Sequence, residues 1–145
     1  MAMTLRTSSE DDRLIEQLAA AQGTSKHEAV LAICDVLGIG PVMDIGLLDS
    51  ALQRPRARLY GLDAYVTLED KAAALMESVV RNHALTDGNE RLGWACLAVF
   101  LDLNRHGIDV PDDEAFNVVM RVAAGHIDRE DLACSIRSWM GAQHP

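Results

Sequence analysis

Apolar residues recur at intervals of three and four along almost the whole chain, and polar clusters cut that pattern into helix-length pieces. Leu14, Ile15, Leu18 and Ala19 make the first stripe. It follows Ser8-Ser9 and the acidic turn Glu10-Asp11-Asp12, and Gly23 ends it. Ser25-x-x-Glu28 has the form of a capping box for a second helix burying Ala29, Val30, Ile33, Cys34 and Leu37. Asp44 caps a short helix carrying Leu47, Leu48, Ala51 and Leu52, which Pro55 stops. Thr67-x-x-Asp70 opens a long helix through Ala72, Leu75, Met76, Val79 and Val80 to Asn82. From about Asn89 to His106 the chain is apolar nearly all round, the pattern of a central helix with others packed about it, and Gly107 closes it. Pro111-Asp112-Asp113 starts a helix through Ala124 with Phe116, Val119, Met120 and Val122 inward. Asp128-x-x-Asp131 caps the last, anchored by Leu132, Ile136, Trp139 and Met140. Met3 to Thr7 alternates weakly and is the one credible strand. The pattern predicts an all-α bundle of six or seven helices with at most one short N-terminal strand.

Composition adds bounds. The 145 residues suit one domain with a genuine core. A net charge of −9 gives no support to nonspecific binding of nucleic acid or membrane. Cys34, Cys96 and Cys134 are widely separated, match no zinc spacing and sit in apolar runs, so buried reduced thiols are expected. The first residues carry no hydrophobic signal region, and the longest apolar run, Trp94 to Leu101, is too short to span a bilayer. A cytoplasmic location with no membrane contact is the expectation. Arg54, Arg56 and Arg58 are the densest basic cluster, either a solvated or salt-bridged helix end or a contact for a nucleotide or an acidic protein.

The chemistry is concentrated in His83-Ala84-Leu85-Thr86-Asp87-Gly88-Asn89-Glu90-Arg91. One helix delivers a histidine, the side chain that titrates nearest neutrality, to a short turn. The next helix begins at Gly88-Asn89, so unpaired N–H groups and the positive end of a helix dipole face that turn, a site suited to phosphate. Asp87 adds a hard-metal ligand and Arg91 a guanidinium. Singly, each has a bland explanation: a helix-end histidine, a turn, a cap. Together, base, metal ligand and anion cradle point to chemistry on a phosphate ester.

His83-x-x-x-Asp87-Gly88-Asn89-x-Arg91 resembles the signature of the Fic/Doc family, most closely its Doc-type toxin branch. The likeness extends through Gly40-Pro41-Val42-x-Asp44-Ile45-Gly46-Leu47-Leu48-Asp49-Ser50-Ala51-Leu52-x-Arg54-Pro55, Lys71-Ala72-Ala73-Ala74-Leu75 and Phe100-Leu101-x-Leu103-Asn104, and covers roughly Glu28 to Met140. Leu85 stands where phenylalanine is usual. Glu90 stands where Doc-type members carry lysine and Fic-type members glycine. Trp94 stands where Fic-type nucleotidyltransferases often have a second arginine. The first 37 residues resemble a ribbon-helix-helix antitoxin, which divides the chain into an antitoxin-like extension, 1–24, and a Fic/Doc-type helical domain, 25–145. Up to Val30 this part carries three basic against five acidic side chains, which argues against DNA contact except through an antitoxin complex; a ribbon would also require a homodimer. Thr24-x-x-x-Glu28 faintly resembles the Fic inhibitory pattern, with Ala29 in place of the expected glycine or asparagine, and capping is sufficient to explain it.

The resemblance implies roles. His83 would be the general base, with Arg91 the second catalytic group, neutralising developing charge. Asp87 would hold Mg²⁺. Gly88, Asn89, residue 90 and Arg91 would bind the phosphates of ATP. Doc-type members pass the γ-phosphoryl of ATP to a threonine of elongation factor Tu, arrest translation and are held by a cognate antitoxin. Fic-type members pass AMP instead. Glu90 runs against either reaction. A carboxylate ~4 Å from one phosphate charge is repelled by about 1 kcal/mol in water-like surroundings and ~4 kcal/mol at an effective dielectric of about 20. The expectation is therefore an ATP-dependent protein phosphotransferase weakened by Glu90. An AMP-transferase and a catalytically silent antitoxin-binding module are the alternatives.

Overall fold

The computed structural model describes residues 26–143, and the predicted strand and helix before Ser25 lie outside them. Among the described residues are six α-helices: α1 Lys26–Leu37, α2 Ile45–Gln53, α3 Leu68–Asn82, α4 Asn89–Leu103, α5 Asp112–Ala124 and α6 Arg129–Trp139. The mostly helical fold agrees with the pattern of apolar positions. So do the caps: Asp44, Thr67 and Asp128 accept the N–H of Leu47, Asp70 and Asp131 at 3.0, 3.1 and 2.8 Å. Each removes one of the unpaired donors at a helix start.

α3 and α4 form the spine. Met76, Val80, Trp94, Leu97 and Leu101 on one side pack with Val119, Val122, Leu132, Ile136 and Trp139 of α5 and α6. Leu75, Val79, Leu92 and Ala95 on the other pack with Val30, Ile33, Leu48 and Leu52 of α1 and α2. At Gly93 the two spine helices pack closely, because a Cβ there would overlap Val80 Cγ2. Trp139 caps the larger core, edge-on to Trp94 with centroids 5.8 Å apart, and its indole N–H donates to Glu114 Oε1 at 3.0 Å.

Several details differ from the expectations. Helix α4 stops at Leu103, three residues early, because the chain turns at Asn104 and Arg105 into β3, His106–Ile108, which pairs antiparallel with β4, Met140–Gln143. A second antiparallel pair, β1 Arg58–Leu59 and β2 Leu62–Asp63, follows Pro55, where no strand was expected. Strands of two to four residues are too short for an alternating pattern to reveal. Leu47 and Met120, expected inward, are exposed. Cys34 and Cys96 are buried free thiols, and burial pushes them up to about 11 and about 12 respectively. Cys134, also expected to be buried, is exposed on the outer face of α6. No described helix is long and apolar enough to cross a membrane.

Candidate active site

The turn between α3 and α4 begins with a change of backbone hand. His83 ends α3 in the left-handed region, φ 52° and ψ 46°, where glycine is usual and histidine is tolerated better than most residues. Its side chain is exposed. The next two residues go inward: Ala84 and Leu85 are both 3% exposed and belong to the smaller core. Leu85, unusual against the family pattern, thus keeps an apolar anchor beneath the turn.

The loop 39–44 then runs alongside as a short antiparallel partner. The N–H groups of Met43 and Asp44 donate to the Ala84 carbonyl at 2.7 and 3.2 Å, Thr86 N–H to Pro41 at 3.0 Å, and Gly40 N–H to Asp87 at 3.1 Å. Val42 and Leu85 form the bridge at its centre. Beyond the stretch Gly40-Pro41-Val42-x-Asp44 the sequence carries no sign of these partners, because backbone pairing leaves little mark on side-chain identity.

Asn89 is buried and turned back into the turn. Its Oδ1 accepts the Leu85 N–H at 3.0 Å and its Nδ2 donates to the Leu85 carbonyl at 3.0 Å. Both halves of the amide are used to hold the turn, so what Asn89 presents to the outside is its backbone N–H at the start of α4. Gly88 precedes it with φ 89°, a conformation that suits glycine, and a Cβ there would lie 2.6 Å from Ile39 Cβ. Gly88 offers no side-chain hydrogen bond, so among the described residues no side chain caps α4. Its first amides and dipole are left facing the turn.

The structure brings His83, Asp87, Gly88 and Asn89 onto this one turn, with Glu90 and Arg91 in the first turn of α4. Asp87 is exposed and Glu90 half-buried. No hydrogen bond or ion pair reaches the Glu90 carboxylate from the described residues. Arg91 bends toward α1, where Nη1 donates to the Leu37 carbonyl at 3.1 Å. The basic cluster lies elsewhere. Arg54 is taken up by Tyr65 Oη at 2.5 Å and Ser78 Oγ at 3.3 Å, and Arg58 pairs with Asp63 at 3.3 Å. Of the three, Arg58 alone forms an ion pair among the described residues, so the salt-bridged reading holds for it and not for Arg54. Among the described residues no three His, Cys, Asp or Glu side chains converge as a protein-built metal cage. A lone exposed carboxylate beside an anion cradle still fits Mg²⁺, which keeps several waters and takes further ligands from phosphate.

A helical bundle whose central pair carries a histidine, an aspartate and an open helix start across one turn defines the class. Residues 8–101 match the Fic/DOC family, and the chain belongs to it. It is similar to a Toxin Doc of Mycolicibacterium smegmatis, 44% identical over 103 residues that cover 70% of this chain and 79% of that protein.

Proposed function

We propose that this protein is a Doc-type toxin that transfers the γ-phosphoryl group of ATP to a threonine hydroxyl of elongation factor Tu, at a rate held down by Glu90. The observation that carries this reading is the uncapped start of α4, facing a turn that exposes His83 and Asp87 together. The likeness to a Toxin Doc supports the Doc branch, and so does Trp94, buried in the core where an AMP-transferring relative would place a second arginine. A cognate antitoxin follows as the partner.

In this mechanism the N–H groups of Asn89, Glu90 and Arg91 hold phosphate oxygens, as α4 has no other use for them. Asp87 is the residue to hold Mg²⁺, which when bound offsets charge on the phosphates. His83 takes the proton from the threonine hydroxyl as that oxygen attacks the γ-phosphorus, the bond from that phosphorus to the β-phosphate oxygen breaks and ADP leaves. Arg91 leaves the Leu37 carbonyl to meet the charge that develops on the transferred group. The negative charge of Glu90, in the first turn of α4, opposes all of this, which favours, as a second reading, a silent antitoxin-binding module.

Mass spectrometry of elongation factor Tu after incubation with the protein and Mg-ATP decides among these. One threonine gaining ~80 Da is the expected result, and AMP transfer would add several times that. No added mass with either the natural chain or its Glu90→Lys variant would leave the silent module.

A further inference from the structure

Between Leu59 and Val66 the fold leaves four large apolar side chains in water. Tyr60 is fully exposed, and Leu59, Leu62 and Val66 are 65%, 73% and 76% exposed. Apolar side chains scattered singly over a surface are ordinary, whereas a cluster marks a place where another surface docks. The β1–β2 hairpin builds this cluster. Leu59 pairs with Leu62, so Tyr60 and Gly61 form a two-residue turn, with φ of 52° and 78°. A turn with both residues left-handed takes Asn-Gly or Asp-Gly by preference, and a tyrosine there strains the backbone. The Tyr60 side chain makes no hydrogen bond or ring contact among the described residues, so nothing within them offsets the strain.

The other cross-strand pair, Arg58 and Asp63, lies on the opposite face of the hairpin. Asp63 bonds Arg58 at 3.3 Å and Lys71 of α3 at 3.5 Å. That face is therefore held toward the bundle, and the leucine face is turned away from it. At the foot of the hairpin opens a groove of about 580 Å³, with Pro55, Arg56 and Lys71 in its walls. Its apolar lining includes Ile33, Leu75, Phe100 and Leu103.

We propose that the hairpin of one copy of this chain seats in the groove of a second copy, whose own hairpin seats in the groove of the first. Three observations carry this. The first is placement. Lys71 is both groove wall and partner of Asp63, so hairpin and groove lie side by side, and one two-fold axis between copies serves both contacts and closes the dimer.

The second is area. The four side chains expose on the order of 500 Å² per copy, taking an open tyrosine as about 200 Å². Two such tips, together with the groove walls they cover, reach the roughly 1,200–2,000 Å² of a stable interface. The third is chemistry. Arg56 is exposed in the groove wall and forms no ion pair among the described residues. An incoming Tyr60 ring gives that guanidinium an aromatic face. The same pairing already occurs inside the chain, where Arg54 and Arg129 lie 5.7 and 4.8 Å from the Tyr65 ring centre.

The test is sedimentation velocity on the full chain from about 1 µM to about 1 mM, where a monomer should pass to a dimer. Tyr60→Asn places a preferred residue in the turn and so keeps the hairpin, yet it should raise the dimer dissociation constant about thirtyfold or more. Leu103→Lys alters an exposed side chain of the groove and should weaken the dimer about tenfold or more. Both variants should unfold as cooperatively as the natural chain at the dilute end of the range. A natural chain that stays monomeric throughout would overturn the proposal. So would a dimer that tolerates Tyr60→Asn, which is built elsewhere, or one that tolerates Leu103→Lys, whose hairpins do not sit in the groove. No step of this depends on the catalytic reading, so a failed transfer assay leaves it standing.

Discussion

Helices α2, α3 and α6 begin beneath a side-chain oxygen, from Asp44, Thr67 and Asp128, whereas α4 begins beneath Gly88, which has none. The start of α5 is an instructive middle case. It too lacks a side-chain cap, but Asp112, Asp113 and Glu114 set three carboxylates in its first turn, against the single Glu90 of α4. Four starts are therefore furnished with oxygen or negative charge, and the fifth is left mostly open. At that fifth start the side chain best able to bond is Asn89, and it holds Leu85 instead. The difference teaches how to separate scaffolding from site. A cap stabilises its own helix, while the Asn89 clamp shapes a turn so that the helix start stays available.

Five variants break or sharpen that contrast. His83→Ala should act at the open start alone: phosphoryl transfer falls by about 10²–10⁴-fold while ATP affinity, by titration calorimetry, stays close to that of the natural chain. Asn89→Ala should show the clamp serving both purposes. It leaves the Leu85 N–H and carbonyl buried without their partner, so urea unfolding should report a loss of about 2–3 kcal/mol, accompanied by weaker ATP binding. An unchanged ATP affinity in a folded Asn89→Ala protein would mean the turn keeps its shape unaided.

Glu90→Lys exchanges repulsion for attraction at the open start and should tighten ATP about tenfold, roughly 1.4 kcal/mol, with growth arrest when expressed without antitoxin. If affinity and growth do not respond while the fold is intact, phosphate binds elsewhere. Thr67→Ala or Asp128→Ala completes the set. Each should cost about 1 kcal/mol in unfolding and leave nucleotide binding alone. A capping variant that weakened ATP as much as Asn89→Ala would erase the distinction between the two kinds of helix start.

How much of this can be read from the sequence follows the same line. Asp44, Thr67 and Asp128 are legible as caps because a helix start is a local event, with the donor three residues from the acceptor. Val80, Leu92 and Ile136 are legible as core because their spacing keeps to one helical face. The two small sheets are not, since β1 and β2 have two residues each and β3 finds its partner more than thirty positions away, at β4. Cys134 shows the limit of composition: it follows Leu132 and Ala133 directly, and one step of about 100° around α6 carries it out to solvent.

At the candidate site, His83, Asp87 and Arg91 can be named from residue type and from the family resemblance. The inward turn of Asn89 cannot, because its partner is the backbone of Leu85 in a turn that only exists once 39–44 has paired with it. Likewise nothing in the spacing of Arg91 points to the carbonyl of Leu37, which lies 54 positions earlier.

Gly93 has a consequence beyond packing. It lies one turn into α4 from the open start, against Val80, one turn before His83 on α3. The missing methyl is therefore a shim of zero thickness between the helix that carries the proposed base and the helix that carries the proposed cradle. Inserting the thinnest real shim, alanine, would wedge the two apart one turn from the motif. The chemical groups would all remain, yet the gap across which the proposed mechanism aligns a proton and a phosphoryl group would widen, and a misplacement of about 1 Å is enough to cost a reaction about a hundredfold. The calibration of the machine sits in an atom that is not there.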